Sequence, residues 1–280
     1  MRARSGCRRK GTITMSAESA PTPTTTTIIT RTITTITTMA TITIIMVIPT
    51  IIRIRTADPV TKMGDYQYLR EPAAIYRESF ARIRAQADLG RFPESLQVLA
   101  IRLVHAVGDV SILADLHWSG DAVAAGRQAL RSGAPVLTDA AMVAHGITRA
   151  RLGAGNAVIC RLGEDPVPAM AQTLETTRSA AAVDLWIPDL AGSVVAIGNA
   201  PTALFRLLEL IEAGGPRPAV ILGFPVGFVG AAESKQALID SGAGVPYVTL
   251  RGQRGGSALA AAAVNALAGP GDEGLAEAET

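Results

Sequence analysis

Hydrophobic residues in the second half of the chain occur in short continuous runs, each followed by a turn and then by residues with helical spacing. The runs are rich in Val, Ile, Leu and Ala and lie at 135–137, 157–160, 194–197, 220–222 and 247–250. Continuous rather than alternating runs are typical of strands covered on both faces, as in parallel sheets. The pattern predicts an α/β fold with a three-layer, doubly wound, mostly parallel, flavodoxin-like sheet.

Helical periodicity predicts helices over 72–87, 93–107, 201–213, 231–241 and 257–267. In the second of these, one face at about 100° per residue carries Leu96, Leu99, Ala100, Leu103, Val104 and Val107. Val98, Ile101, Arg102 and His105 lie off that face. An outward face with apolar residues beside Arg102 and His105 indicates a partner subunit or a ligand. The alternative is a surface histidine with a neighbouring arginine.

Three predicted strands end in turns suited to binding anions. Gly198-Asn199 precedes a helix that begins at Pro201, with Asn199 available as its cap. Gly223–Gly230 precedes the helix that carries Lys235, and Arg251–Ser257 follows the last strand. Exposed N–H groups at such turns form anion sites at the positive ends of helices. Each turn alone also fits an ordinary tight turn, with Lys235 as a surface lysine.

Two further segments place guanidinium groups beside hydroxyl groups. They are Thr148-Arg149-Ala150-Arg151 and Thr177-Arg178-Ser179. Such pairs suit the binding of carboxylate or phosphate, although solvated arginines give the same pattern. His117 and His145 lie near turn residues, and we interpret both as structural, capping a helix or bonding a backbone carbonyl.

Composition narrows the function classes. The net charge is only +2 with basic residues scattered along the chain, which argues against a nucleic-acid partner. Cys7 and Cys160 are too few for a disulfide framework or a zinc site, and agree with a cytoplasmic location. The glycine and histidine motifs of dinucleotide enzymes, P-loop NTPases, serine hydrolases and zinc proteases do not occur.

The first sixty residues differ from the rest. A Thr/Ile tract over 22–54 shows neither sustained strand alternation nor a helical period, and 32–52 carries no charge. Its β-branched residues and Pro49 argue against a membrane-spanning helix. We interpret 1–62 as an extension upstream of a start near Met63, 63–269 as the folded domain, and 270–280 as a disordered polar tail.

Several segments in order carry a family resemblance. They are Ile75–Ser79, Arg102–Gly108, Gly133–Asp139, Met142–Arg151, Thr177–Ala181, Gly192–Thr202, Gly223–Lys235 and Gly252–Ser257. Over residues 68–267 the sequence resembles the precorrin-8X methylmutases of cobalamin biosynthesis. It departs from the family pattern at Val107 and Asp109.

The resemblance implies a cofactor-free isomerase that moves a methyl group from C-11 to C-12 of precorrin-8X to give hydrogenobyrinate. It further implies a homodimer with active sites at the subunit interface, no metal and no membrane partner. His105 maps onto the family's essential histidine. The implied substrate contacts are Ser79, Arg102 and Arg178, followed by Thr148, Arg149 and Lys235.

An intramolecular migration needs one well-placed proton, and an imidazole can supply and recover it near neutral pH. Arginines, hydroxyls and amides suit the substrate's carboxylates, and Val98, Ile101 and Phe224 are expected to cover its flat face. The resemblance favours a metal-free substrate. Two alternatives stay open: a non-catalytic tetrapyrrole-binding module on the same fold, and a flavin-binding protein.

Overall fold

The computed structural model describes the backbone of residues 25–37 and 43–55 and all of residues 66–269, and the chain divides into two units, 1–68 and 69–280. In the first unit, β1 (Thr25–Thr37) pairs antiparallel with β2 (Thr43–Arg55). These strands were not predicted, because the tract lacks a sustained alternation of apolar and polar residues. The β-branched side chains of threonine and isoleucine favour an extended backbone even where apolar and polar residues do not alternate. The predicted tail, 270–280, lies outside the described residues.

The second unit contains a six-stranded sheet. Its strands are β3 (Leu116–Ser119), β4 (Val136–Thr138), β5 (Val158–Ile159), β6 (Val194–Ile197), β7 (Val220–Gly223) and β8 (Tyr247–Leu250). Their order is β3-β8-β7-β6-β4-β5; β4 to β8 are parallel, and β3 is antiparallel to β8. The mixed α/β fold with a mostly parallel sheet is confirmed. β3 was missed, since its sequence Leu-His-Trp-Ser has no apolar run.

Ten α-helices lie within residues 66–269. They are α1 (Pro72–Gln86), α2 (Glu94–Val107), α3 (Ala122–Arg131), α4 (Ala141–Gly146), α5 (Val167–Thr173), α6 (Arg178–Asp184), α7 (Ile187–Leu190), α8 (Pro201–Glu212), α9 (Ala231–Asp240) and α10 (Ser257–Ala268). Two 3-10 helices span Val110–Asp115 and Arg149–Arg151. The five predicted helices are confirmed as α1, α2, α8, α9 and α10.

Two hydrophobic cores flank the sheet. On one face, residues such as Val194, Leu222 and Leu250 pack with α1, α2, α3, α4 and α10. On the other face, residues such as Val195 and Ile221 pack with α6, α7, α8 and α9. Alternate residues of one strand thus serve opposite cores, which explains why the strands read as continuous apolar runs.

The outward apolar face predicted for α2 is wrong. Val98 and Ile101 are each only 3% exposed, because α1 and α10 both pack against this helix. A single apolar stripe assumes that one side of a helix is covered, whereas α2 is covered on several. Phe224 is also fully buried, so none of these three side chains is available to cover a substrate.

The exposed amides predicted at the end of β6 are also not found. The buried carboxylate of Asp139, which follows β4, accepts hydrogen bonds from the backbone N–H groups of Gly198, Asn199 and Ala200 at 2.7–2.9 Å. Burial raises the pKa of Asp139, and the backbone donors oppose that rise. Asn199 does not cap α8; the cap residue is Ala200, without a side-chain bond. An internal anion therefore occupies this turn.

None of the helices in the described residues combines the length and the hydrophobicity needed to cross a bilayer.

Candidate active site

His105 lies in the last turn of α2 with its ring held by α1. The Oγ atom of the half-buried Ser79 lies 2.8 Å from His105 Nδ1. The rings of Tyr76 and Phe80 have centroids 5.4 Å from the imidazole centroid. Within the described part of the chain Nε2 has no hydrogen-bond partner, and the residue is exposed. One ring nitrogen is thus fixed by the protein, and the other is available to a ligand.

Two effects lower the pKa of His105 below its ordinary value. The larger is the loss of hydration against neighbouring side chains, and the second is the positive charge of Arg102, one turn earlier on α2. Both disfavour the imidazolium form. In the free protein the ring is therefore harder to protonate than an ordinary surface histidine.

Arg102 lies between α2 and the end of α10 and is half-buried. Its guanidinium carbon lies 5.6 Å from the centroid of the Phe80 ring, and its Nε is buried without a hydrogen-bond partner among residues 66–269. Burial lowers the pKa of Arg102, and the nearby charge of Arg151 lowers it further. The structure thus brings Ser79 and Arg102 together with His105.

Thr148 and Arg149 lie in the turn after α4, which is tied to α10. The side chain of Asn265 accepts from the backbone N–H of Thr148 at 2.8 Å and donates to the carbonyl of Gly146 at 3.0 Å. Arg149 is exposed and Arg151 half-buried at the following 3-10 helix. Asn265 thus fixes the position of the basic turn that contains Thr148, Arg149 and Arg151.

Arg178 lies with the other helix layer, at the start of α6. Thr177 caps this helix by accepting from the backbone N–H of Ala180 at 3.1 Å, and its hydroxyl lies 2.7 Å from that of Thr202 in α8. Arg178 is exposed, and its Nη2 lies 3.5 Å from the carbonyl of Leu162. No contact between described residues joins Arg178 to His105.

Lys235 is fully buried, so the surface-lysine alternative is wrong. Its Nζ donates to the backbone carbonyl of Arg254, and burial lowers its pKa to about 8. The Arg254 side chain in turn bonds Asp115 at 2.6 Å and Asp109 at 3.0 Å. A substrate contact by Lys235 stays a prediction; in this chain its ammonium supports the 251–256 loop.

The other two histidines have structural partners. His145 Nδ1 lies 2.7 Å from the carbonyl oxygen of Ala141, as predicted. His117 lies in β3 and neither caps a helix nor bonds a carbonyl: its Nδ1 is 3.1 Å from the Tyr247 hydroxyl, and the two rings stack. Among the described residues, no group of His, Cys, Asp or Glu side chains is arranged to hold a metal.

Sequence reasoning missed Tyr76, Phe80, Asn265 and Asp139. Tyr76 and Ser79 are three residues apart on α1, as Arg102 and His105 are on α2, so each pair shares a helix face. That spacing was the available signal for a contact between the two helices. Nothing local marks Asn265 or Asp139, whose partners lie far away in the sequence.

Comparisons with known proteins point to one family. The family model described as precorrin-8X methylmutase matches residues 74–269. The precorrin-8X methylmutase of Pseudomonas aeruginosa is 61% identical over 201 residues, covering 72% of this chain and 97% of that protein. The one from a Sinorhizobium species is 59% identical over 209 residues, covering 75% and 100%.

A solved structure has the same fold. The precorrin-8X methylmutase crystal structure from Thermus thermophilus superposes with a TM-score of 0.65 at 38% sequence identity, covering 72% of this chain and 98% of that chain. The family-model match over residues 74–269 includes all six strands of the sheet and His105. On this evidence, the chain belongs to the precorrin-8X methylmutase family.

Proposed function

We propose that this protein is an isomerase that moves the methyl group from C-11 to C-12 of precorrin-8X, giving hydrogenobyrinate. The proposal rests on one observation: the family match over residues 74–269 includes an exposed histidine, His105, whose Nδ1 is hydrogen-bonded to Ser79. His105 presents one hydrogen-bonded ring nitrogen and one free nitrogen, which is the arrangement a proton donor needs.

The contact with Ser79 determines which ring nitrogen of His105 donates a proton to the substrate. When the ring is protonated, Nδ1–H donates to Ser79 Oγ, and Nε2–H faces the substrate. Nε2–H protonates a nitrogen of the macrocycle, which makes the ring system electron-deficient and promotes the migration. After migration, that nitrogen returns the proton to Nε2, so the enzyme ends in its starting state. Throughout this cycle, the Ser79 contact holds the proton of Nδ1 in place.

The substrate is held by side chains more than by strand-end amides. Arg102 lies one helical turn before His105 on α2, and Arg149 lies in the basic turn after α4. The guanidinium groups of both residues suit carboxylates. Arg178 is a further substrate contact, although it lies with the other helix layer. The carboxylate of Asp139 already accepts from the backbone N–H groups of the turn after β6, so these three donors are not available to an anionic ligand.

The separation of Arg178 from His105 supports a homodimer in which two chains complete each active site. Exposed apolar side chains lie near His105, where Tyr76 is 48% exposed, and on the 226–229 loop, where Phe228 and Val229 are 88% and 89% exposed. Large exposed apolar side chains mark association surfaces. Sedimentation showing only monomer at micromolar concentration would contradict the dimer.

We also infer a flavodoxin-like sheet and a cytoplasmic enzyme without nucleic-acid or membrane partners. Numbered among themselves, the parallel strands run 2-1-3-4-5 across the sheet, which is the flavodoxin order. In that fold, ligands bind where the order reverses, which here is between β4 and β6. Asp139 occupies this position and would repel a flavin phosphate.

The test is conversion of precorrin-8X by the purified protein, followed by the absorbance change on product formation. The same assay with the cobalt-containing substrate measures the preference for the metal-free form. Binding of precorrin-8X without conversion would favour the non-catalytic module. A yellow preparation that releases flavin would favour the flavin-binding alternative.

A further inference from the structure

We propose that Arg102 and Arg151 together bind one carboxylate of the tetrapyrrole beside His105, which makes Arg151 a further substrate-binding residue. The inference rests on the proposed function, because it takes the ligand to be a carboxylate-rich macrocycle. Arg151 belongs to a segment whose composition suits carboxylates, but it is not among the substrate contacts that the family resemblance implies.

Both guanidinium groups lack an acidic partner among the described residues. Within residues 66–269, neither Arg102 nor Arg151 is bonded to a carboxylate, and Arg102 Nε is buried without any hydrogen bond. Two other part-buried arginines are paired: Arg161 bonds Asp189 at 2.6 Å, and Arg206 bonds Asp184 at 2.8 Å. Arg127 in α3 shares the unpartnered buried Nε, so Arg102 is distinguished by its place beside Arg151 and His105. A buried unpaired donor is costly unless a ligand completes it.

The side chains of Arg102 and Arg151 both lie at the C-terminal end of α10. Arg102 Nη2 lies 3.7 Å from the position that a Cβ atom on Gly269 would take. Arg151 lines a cavity of about 210 Å³ together with Ala268. Since Asn265 ties the preceding turn to α10, the position of Arg151 is set by the fold.

The positive charge of Arg151 acts on Arg102, so the two guanidinium groups repel each other. An anion between them stabilises both, and their planar donors match the two oxygens of a carboxylate. The partial negative charge at the end of α10 helps to tolerate the pair in the absence of ligand. A phosphate would fit similar donors, but the family match indicates a tetrapyrrole whose acidic groups are carboxylates.

Carboxylate binding has a consequence for His105. Arg102 is the charged group that lowers its pKa, while α1 presents the uncharged Ser79, Tyr76 and Phe80 to the ring. An anion bound by Arg102 and Arg151 offsets that positive charge. The substrate therefore promotes protonation of the residue that must protonate it.

The experiment compares Arg151→Gln with Arg217→Gln. Arg217 is an exposed arginine before β7 and does not line this cavity, so it controls for the loss of one positive charge. Steady-state kinetics with precorrin-8X and equilibrium titration with uroporphyrin, a carboxylate-rich tetrapyrrole, are measured for the wild type and both variants. Circular dichroism confirms that each variant folds.

Arg151→Gln is expected to weaken uroporphyrin binding and to raise KM by about ten- to a hundredfold, the loss of one charge-assisted contact. Arg217→Gln should stay near the wild type in both measurements. Equal behaviour of the two variants would overturn the carboxylate site. If the wild type binds uroporphyrin in an Arg151-dependent manner but does not convert precorrin-8X, the proposed function fails and the site stands.

Discussion

Replacing Ser79 by alanine tests how far the orientation of His105 matters. The substitution removes the only hydrogen bond that the described residues make to the imidazole, the 2.8 Å contact at Nδ1. A net hydrogen bond of this kind contributes about 0.5–1.5 kcal/mol. If all of it acts in the transition state, kcat falls by about two- to twelvefold. Ser79 is half-buried on an exposed helix, so folding should change little.

The assay is product formation from precorrin-8X over a range of concentrations, which separates kcat from KM. Ser79→Thr keeps the hydroxyl and should retain most of the activity, whereas Ser95→Ala, an exposed serine of α2, serves as the matched control. A kcat for Ser79→Ala equal to that of the wild type would refute the reasoning. A rise in KM alone would make Ser79 a substrate contact that does not orient His105.

Three other outcomes follow from the same contacts. Loss of hydration and the charge of Arg102 lower the pKa of His105. Because the imidazolium form is the acid, kcat/KM should fall as the pH rises, with a midpoint below the ordinary histidine pKa of about 6.5. A pH–rate profile measures this midpoint. Arg178→Ala should raise KM by about ten- to a hundredfold with normal stability, and lost stability at unchanged KM would make Arg178 structural. Asp139→Asn should lower the free energy of unfolding by about 1–3 kcal/mol, since its amide would face backbone donors; denaturant unfolding measures this.

The sheet was predictable from sequence because burial on both faces leaves a visible apolar run. β6 and β8 match the predicted runs, and the helix after β6 begins at Pro201 as its sequence indicates. The polar edge strand β3 leaves no such run. The periodicity along one segment shows which face a helix or strand buries. It was sufficient to predict the five parallel strands and five of the helices in their order along the chain.

The site was less predictable, because its key contacts join distant segments. The family resemblance pointed to Ser79 and His105, but no local pattern shows that α1 brings its serine to the imidazole. The burial of Ile101 depends on two helices packing on α2 from different directions. Asp139 accepts hydrogen bonds from a turn sixty residues away in the sequence. The local sequence of that turn does not show this partner, so its N–H groups were predicted to be exposed.

The most direct test of the account is the conversion of precorrin-8X by the wild type, His105→Ala and His105→Asn. Loss of a general acid costs about two to four decades in rate, and neither replacement can donate the proton. Because His105 is exposed, neither change opens a cavity, and circular dichroism and substrate binding should stay normal. The account predicts conversion by the wild type and turnover reduced at least a hundredfold in both variants. Near-normal turnover in either variant would contradict it.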